Sequence, residues 1–222
     1  MQNIKRIYCD FDGTITKKDA VNTFFEMYAD PQWVDSEKLW VEGKITSREN
    51  AIAQVAMLPK LTKTQVNDFI DSIEIDDYFL EFLDFINSKG IEFTILSDGF
   101  DLFIQQVLAK HNIKNVNYFA NHLIHTQSGN FQIDFPYYNK KCSIGAGMCK
   151  CNQIKDEEFC YIGDGTSDLC VAEKASLLFA TKSLRKHCVT KDLDFVPFNS
   201  FRDIIEHVEG FYGEKYGSFK CK

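Results

Sequence analysis

Three apolar runs in this chain each end in an acidic turn that carries glycine. Ile4–Cys9 runs into Asp10-Phe11-Asp12-Gly13-Thr14, Phe93-Thr94-Ile95-Leu96 into Ser97-Asp98-Gly99, and Phe159-Cys160-Tyr161-Ile162 into Gly163-Asp164-Gly165-Thr166-Ser167-Asp168. Short apolar runs bounded by turn residues are the pattern of strands buried on both faces. In Asp10-Phe11-Asp12 the acids stand at i and i+2, so on an extended backbone both carboxylates point to one side. Like charges that close need a cation, a shared proton or a neutralising neighbour. Repetition on three strands predicts one shared site.

Between these runs the periodicity is helical. Val21, Phe24, Phe25 and Tyr28 fall at i, i+3, i+4 and i+7, one face of an amphipathic helix. Asp30-Pro31 breaks it, Glu42-Gly43-Lys44 turns, and Thr46 or Ser47 caps a helix through Met57, ahead of Pro59. A further helix follows Leu61-Thr62-Lys63-Thr64. Phe79–Ser88 is another, stopped by Lys89-Gly90 before a strand over Ile91–Leu96. Gly99 opens a helix to about Lys110, Tyr118–Phe135 reads as a hairpin turning at Gln127-Ser128-Gly129-Asn130, and Pro136–Gly147 is loop. Helix Ser167–Ala175, strand Leu177–Ala180 and a helix near Phe201–Val208 complete the alternation, with no element assigned after Gly210.

Such alternation predicts an α/β fold with a doubly wound, mainly parallel sheet. Its ligands belong outside the carboxyl ends of the strands, where all three acidic turns lie. The helical stretch after the first strand predicts a smaller second unit, residues 16–77 as a helical cap and residues 1–15 with 78–222 as the core. Phe24, Phe25 and Tyr28 are expected to pack that cap against itself, and Asp76-Asp77 to be a solvated linker.

A net charge of -7 leaves no basic face for nucleic acid. No apolar run is long enough to span a bilayer, and the first residues lack a signal-peptide core. Neither a nucleic acid nor a membrane is therefore an expected partner, and cytoplasmic residence is expected. The eight cysteines are expected to be free thiols there. Cys142, Cys149 and Cys151 suggest zinc, but their spacing fits no standard finger and no fourth ligand is obvious.

A phosphate monoester suits a crevice lined this way. One carboxylate attacks phosphorus to give an aspartyl-phosphate. A second carboxylic acid protonates the leaving oxygen and later deprotonates water. Mg²⁺ suits the oxygen ligands, while hydroxyls, backbone N–H groups and a lysine offset the phosphate charge. Asp10 and Asp12 fit nucleophile and acid/base. Ser97 and the Asp98-Gly99 backbone fit as phosphate donors at a helix start, with the Asp98 side chain toward solvent. Asp164 and Asp168 add oxygen ligands.

In order and spacing these turns resemble three of the four motifs of the haloacid-dehalogenase superfamily, and the resemblance covers essentially the whole chain. It implies Asp10 as nucleophile and Asp12 as general acid/base, with Asp12 also holding Mg²⁺ through its backbone carbonyl. Asp10 and Asp164 become the other metal ligands, and Asp168 the acid that orients ligands or the lysine. Because Asp12 is present, the resemblance is to the phosphatases and mutases and not to the dehalogenases proper. The helical stretch resembles the small cap of the phosphoserine-phosphatase-like subgroup.

The fourth motif is a lysine, and Lys140, Lys141 and Lys150 are available. Gly147-Met148-Cys149-Lys150-Cys151, with Asn121-His122 and Ile133-Asp134-Phe135-Pro136 upstream, is similar to a narrower group. It comprises the methionine-salvage 2-hydroxy-3-keto-5-methylthiopentenyl-1-phosphate phosphatases and the phosphoethanolamine/phosphocholine phosphatases, in which the lysine follows a cysteine-rich stretch. That similarity, with position at a helix start, favours Lys150 for both phosphate binding and catalysis. Phosphoserine phosphatases clamp the substrate carboxylate with an arginine that aligns with Ile52 here, Arg48 being the nearest substitute. Ser47-Arg48-Glu49 through Leu58-Pro59 instead resembles the salvage enzymes. The expectation is a Mg²⁺-dependent phosphatase acting on a small phosphate ester, with the salvage ester ahead of phosphoserine, phosphoethanolamine, phosphocholine and pyridoxal phosphate. A phosphomutase and a phosphometabolite-binding regulatory protein are the competing classes.

Overall fold

The first apolar run becomes strand β1 (Arg6–Cys9), and its two neighbours in the sheet are the other runs that end in acid. β2 (Glu92–Phe100) and β5 (Cys160–Gly163) both pair with it in parallel, Cys9 standing opposite Ile95 and Ile162. The computed structural model describes residues 5–216, so Ile4 of the expected strand lies outside the described residues. β3 (Asn117–His125), β6 (Leu177–Ala180) and β7 (Val196–Pro197) extend the sheet in parallel. β4 (Phe131–Asp134) returns antiparallel from β3, giving a seven-stranded sheet of order β4-β3-β2-β1-β5-β6-β7. With β2 on one side of β1 and β5 on the other, the winding reverses at β1. That is the switch point where a doubly wound sheet opens a crevice.

The first four of the five helices between β1 and β2 are α1 (Ala20–Tyr28), α2 (Trp33–Val41), α3 (Ser47–Ala56) and α4 (Lys63–Ser72). Thr46 and Thr62 start α3 and α4 with capping boxes completed by Glu49 and Gln65, each cap contributing about 1 kcal/mol. Chain enters and leaves this stretch side by side, through an isolated bridge between Thr16 and Ile75. Asp76 is more than a solvated linker. Its amide donates to the Ile15 carbonyl at 2.8 Å, and its Oδ1 accepts from Tyr78 N–H at 2.9 Å, just ahead of α5 (Phe79–Ser88).

Phe79 and Phe82 of α5 pack on Phe93 of β2 together with Phe201 of α10 (Phe201–Tyr216). The α1 aromatics do not pack only among their own helices. Phe24 meets Phe69 of α4, and also Phe103 of α6 (Asp101–Lys110) and Phe131 of β4, while Phe25 meets Phe100 of β2. Rings of this size bury more surface than one neighbouring helix can cover, so they seat α1 on the sheet.

β2 runs four residues past Leu96, and α6 begins at Asp101 rather than Gly99. The β2–β3 register shifts between Leu96 and Phe100, a bulge that keeps the backbone extended while re-aiming Ser97, Asp98 and Gly99. The helix expected over Ser167–Ala175 is a 3-10 turn (Thr166–Asp168) followed by the four-residue α8 (Leu169–Ala172). Upstream, the segment between β4 and β5 contains the short α7 (Lys150–Gln153). α9 (Lys182–Lys191) and β7 carried no expectation. The first is strongly polar, with only Leu184 and Cys188 buried, and the second is two residues ending in proline. α10 continues through Gly210 to Tyr216, while residues 217–222 of the tail lie outside the described residues. Among the described residues no helix is long and apolar enough to cross a membrane.

Candidate active site

The parallel pairing of β2, β1 and β5 delivers the three acidic turns to one cavity. Asp10, Asp12, Ser97, Asp98, Gly99 and Asp164 all line it. Lys150 and Asp168 are buried against it. Lys150 Nζ stands 2.8 Å from Asp10 Oδ1 and 2.5 Å from Asp168 Oδ1, and neither the lysine nor the Asp168 side chain has any exposure. Of the three candidate lysines, Lys150 reaches the turns, whereas Lys140 and Lys141 lie in the loop before it, and Lys141 is exposed.

Asp10 Oδ1 also accepts the Phe11 N–H at 2.8 Å. Burial first, and then the Asp168 charge, push the Asp10 carboxyl well above its usual range against the opposing pull of Lys150. Burial alone would lower the Lys150 ammonium, but the charges of Asp10 and Asp168 outweigh it and raise it. Lysine is therefore the fixed cation of this cluster.

Asp12 Oδ2 accepts from Ser97 Oγ at 3.0 Å, and its Oδ1 is buried without a hydrogen-bond partner. Burial, helped by the charge of Asp19, pushes Asp12 up to about 7, a range in which a carboxyl can both hold and release a proton. Ser97 Oγ in turn accepts the Gly99 N–H at 2.9 Å. Glycine is required at 99 for space: a Cβ there would lie 2.1 Å from Asp12 Oδ2.

The Asp98 side chain does not face solvent. It accepts from Met148 N–H at 2.8 Å, from Asn121 Nδ2 at 3.1 Å and from the Ser47 hydroxyl. The bulge turns it inward, where these donors offset much of its desolvation; burial still leaves its carboxyl raised. Asp98 thus ties the start of α3 to β2 and to the segment leading to Lys150.

Asp168 is the most committed acid. Its Oδ1 accepts from Lys150 and from the Tyr161 hydroxyl at 2.5 Å, and its Oδ2 accepts the amides of Asp164 and Gly165 at 3.0 and 2.9 Å. Asp164 is pushed up to about 6 by burial and then by the Asp168 charge. Lys182, to which no role was expected, stands 3.0 Å from Asp164 Oδ2 and donates to the Gly13 carbonyl. Nothing in the sequence pattern marks it, because it stands at the start of α9, which carried no expectation. Gly13, at φ +74, lets that backbone approach, since a Cβ would meet Asp164 Oδ2 at 2.5 Å.

The donor set fits a hard divalent cation. Carboxylate oxygens of Asp10, Asp164 and Asp168 lie within 4.8 Å of one another, and a cation would offset the burial, and then the mutual repulsion, that raise Asp10 and Asp164. With the Asp168 oxygens already committed, Asp10 and Asp164 are the side chains free to ligate.

Above the acids the cavity is lined by Trp40, Val41, Ala51 and Val21 and by Glu37, Asn50 and Gln54. Glu37 Oε2 accepts from Asn50 Nδ2 at 2.8 Å and from Gln54 Nε2 at 3.0 Å, which fixes its carboxylate. Of the two tryptophans, Trp40 lines the cavity and Trp33 packs on Phe25. Arg48 does not enter the cavity. Its guanidinium stacks 4.8 Å from both the Phe135 and Tyr138 ring centres, and Ile52 is exposed outside the lining. His122 and His125 are spent structurally, on Asp101 and the Leu61 carbonyl.

Residues 6–179 match the family model described as Putative Phosphatase, and the chain belongs to that family. It is similar to the 2-hydroxy-3-keto-5-methylthiopentenyl-1-phosphate phosphatase of Geobacillus thermodenitrificans strain NG80-2, at 29% identity over 91% of this chain and 94% of the relative. The enzyme of that name from Bacillus thuringiensis subsp. konkukian strain 97-27 is 30% identical over 90% and 93%. Among solved structures, a phosphoserine phosphatase described as a phospho-aspartyl intermediate analogue matches with a TM-score of 0.68 at 23% identity, over 92% of this chain and 98% of that one. A substrate-bound phosphoserine phosphatase complex matches with 0.67 at 21%, over 93% and 99%. The haloacid-dehalogenase fold expected from the three turns is therefore the fold of this chain.

Proposed function

We propose that the protein is a Mg²⁺-dependent phosphatase that hydrolyses a small phosphate monoester through an aspartyl-phosphate on Asp10. The observation that carries this reading is the buried Asp10 carboxylate presented to the cavity with Lys150 2.8 Å from its Oδ1 and Asp12 beside it. With Oδ1 held by Lys150 and Phe11 N–H, the other Asp10 oxygen attacks phosphorus as the ester bond breaks. Asp12 gives its proton to the departing alkoxide, then takes one from the water that opens the acyl-phosphate. Lys150 and Ser97 offset the charge of the phosphoryl oxygens. Asp10, Asp164 and the Asp12 carbonyl would hold Mg²⁺, which when bound would supply Lewis-acid neutralisation of the phosphate.

Residues 16–77 act in this reading as the cap that selects the leaving group. Trp40, Val41 and Ala51 offer an apolar wall for a methylthioalkyl chain, and the fixed Glu37 carboxylate accepts from a hydroxyl. Together with the curated relatives, this favours 2-hydroxy-3-keto-5-methylthiopentenyl-1-phosphate. Phosphoserine is disfavoured because Arg48 is engaged by two rings away from the cavity. Glu37 and Asp19 in the lining favour a second reading, an ammonium-bearing ester such as phosphoethanolamine or phosphocholine. Cytoplasmic residence fits the seven described cysteines being free thiols. A panel of these esters, with phosphoserine and pyridoxal phosphate, scored by kcat/KM for phosphate release, tests the assignment. No Mg²⁺-dependent release from any member, with tight binding of one, would instead support a phosphometabolite-binding regulator.

A further inference from the structure

A second pocket, separate from the acidic cavity, is lined by four cysteines: Cys142, Cys149, Cys151 and Cys170. Cys142 comes from the loop after β4, Cys149 and Cys151 flank Lys150 at the start of α7, and Cys170 lies on α8. The fourth thiol, missing from the local sequence pattern, arrives from 19 residues beyond Cys151. The thiols stand as two facing pairs. Cys142 lies beside Cys149 and Cys151 beside Cys170, the Cys151 thiol donating to the Cys170 carbonyl at 3.0 Å. All four are unpaired as disulfides, with Cys149 buried and the other three half-buried. Lys141 and Lys174 line the same pocket.

We propose that this pocket is a tetrathiolate site for a soft divalent metal ion, Zn²⁺ in the cell. Four cysteines are a complete tetrahedral donor set for that ion, and thiolates select it over the hard cation that the aspartates suit. Binding releases the thiol protons to solvent and leaves a centre of net charge about −2, which the Lys141 and Lys174 ammonium groups offset. The sulfurs are not yet gathered as a closed tetrahedron, so the ion draws the two pairs together by side-chain rotation. Its place in the fold gives it a purpose. Cys149 and Cys151 bracket Lys150, and Cys170 follows Asp168 by two residues, so the metal cross-links the two segments that hold the buried Lys150–Asp168 pair. It positions that pair and touches no reacting atom.

Co²⁺ titration of the full chain, reduced and in excess Mg²⁺ to occupy the oxygen site, tests this directly. One equivalent is expected to produce the sulfur-to-cobalt charge-transfer and intense visible bands of tetrahedral thiolate coordination. One equivalent of Zn²⁺ should abolish those bands, protect the four thiols from Ellman's reagent and raise the melting temperature. Cys142→Ser and Cys170→Ser should lose the bands. Cys188→Ser, buried on α9, and the inactive Asp10→Asn should keep them, which separates this site from the catalytic one. Absence of the bands in the unmodified protein, or equal thiol reactivity with and without Zn²⁺, overturns the proposal without relying on any variant folding. Recovery of the chain with Cys142–Cys149 and Cys151–Cys170 as disulfides does so too.

Discussion

Lys150 and Asp10 meet at 2.8 Å, from Nζ to Oδ1, with the lysine side chain wholly sealed from solvent. They come from segments 140 positions apart: Asp10 follows β1, and Lys150 opens α7, which packs against β2 and α8 and so stands beside the carboxyl ends of the strands. A cation fixed there offsets the charge of Asp10, the proposed nucleophile, while Asp168, itself held by the Tyr161 hydroxyl, anchors it from behind.

Removing that cation should affect both stability and turnover. Lys150→Ala leaves two buried carboxylates without their partner, and breaking such a pair costs about 3–5 kcal/mol. Thermal melts should show that loss, and phosphate release should fall by orders of magnitude. Lys140→Ala, at an exposed lysine outside the cysteine-lined pocket, should change neither quantity; a reversal of the two phenotypes would overturn the assignment of Lys150.

Asp12 is assigned the proton on the leaving oxygen, so its loss should depend on the leaving group. Asp12→Asn is expected to slow alkyl phosphates by roughly 10²–10⁴-fold. Aryl phosphates with acidic leaving groups need little protonation and should suffer much less in the first step. Burst kinetics would then show the aspartyl-phosphate accumulating, because its hydrolysis still needs the base. Equal slowing of phosphoryl transfer from both substrate types would remove Asp12 from the acid role.

At Gly99 the argument is steric. A methyl group there would press on Asp12 Oδ2 at 2.1 Å and on Ser97 Oγ and Val21 Cγ2 at 3.0 Å. Gly99→Ala should retain the far-ultraviolet dichroism of the parent yet lose most kcat. A variant with parental kcat would show that Asp12 need not stay against Ser97.

Arg48 stacks on Phe135 and Tyr138, and each cation–π contact contributes about 0.5–2 kcal/mol. Its backbone N–H also donates to the Gly145 carbonyl at 3.2 Å, so α3 is clasped onto the loop ahead of α7. Arg48→Ala should raise KM more than it lowers kcat, and to a similar degree for every ester. A selective loss for phosphoserine would make it a carboxylate clamp after all.

Chelation should silence the enzyme and Mg²⁺ should restore it. Asp164→Asn removes one of the two side-chain ligands that Asp168 leaves free, so the half-saturating Mg²⁺ concentration should rise in phosphate-release assays. An unchanged Mg²⁺ dependence would take Asp164 out of the metal site.

The amino-acid sequence by itself determined the parallel α/β sheet, the three acidic turns at the ends of its strands and the helical stretch between the first two. These follow from local rules: apolar runs form buried strands, capping residues such as Thr46 start helices, and Asp-x-Asp on an extended backbone places two acids on one side. Sequence resemblance already favoured Lys150 among three lysines, but tertiary structure alone decided that Lys182 braces Asp164, that Asp98 turns inward to Ser47 and Asn121, and that Cys170 completes a four-thiol pocket. Each of those depends on which loops the strand order brings side by side, a relation between distant segments that no local periodicity records.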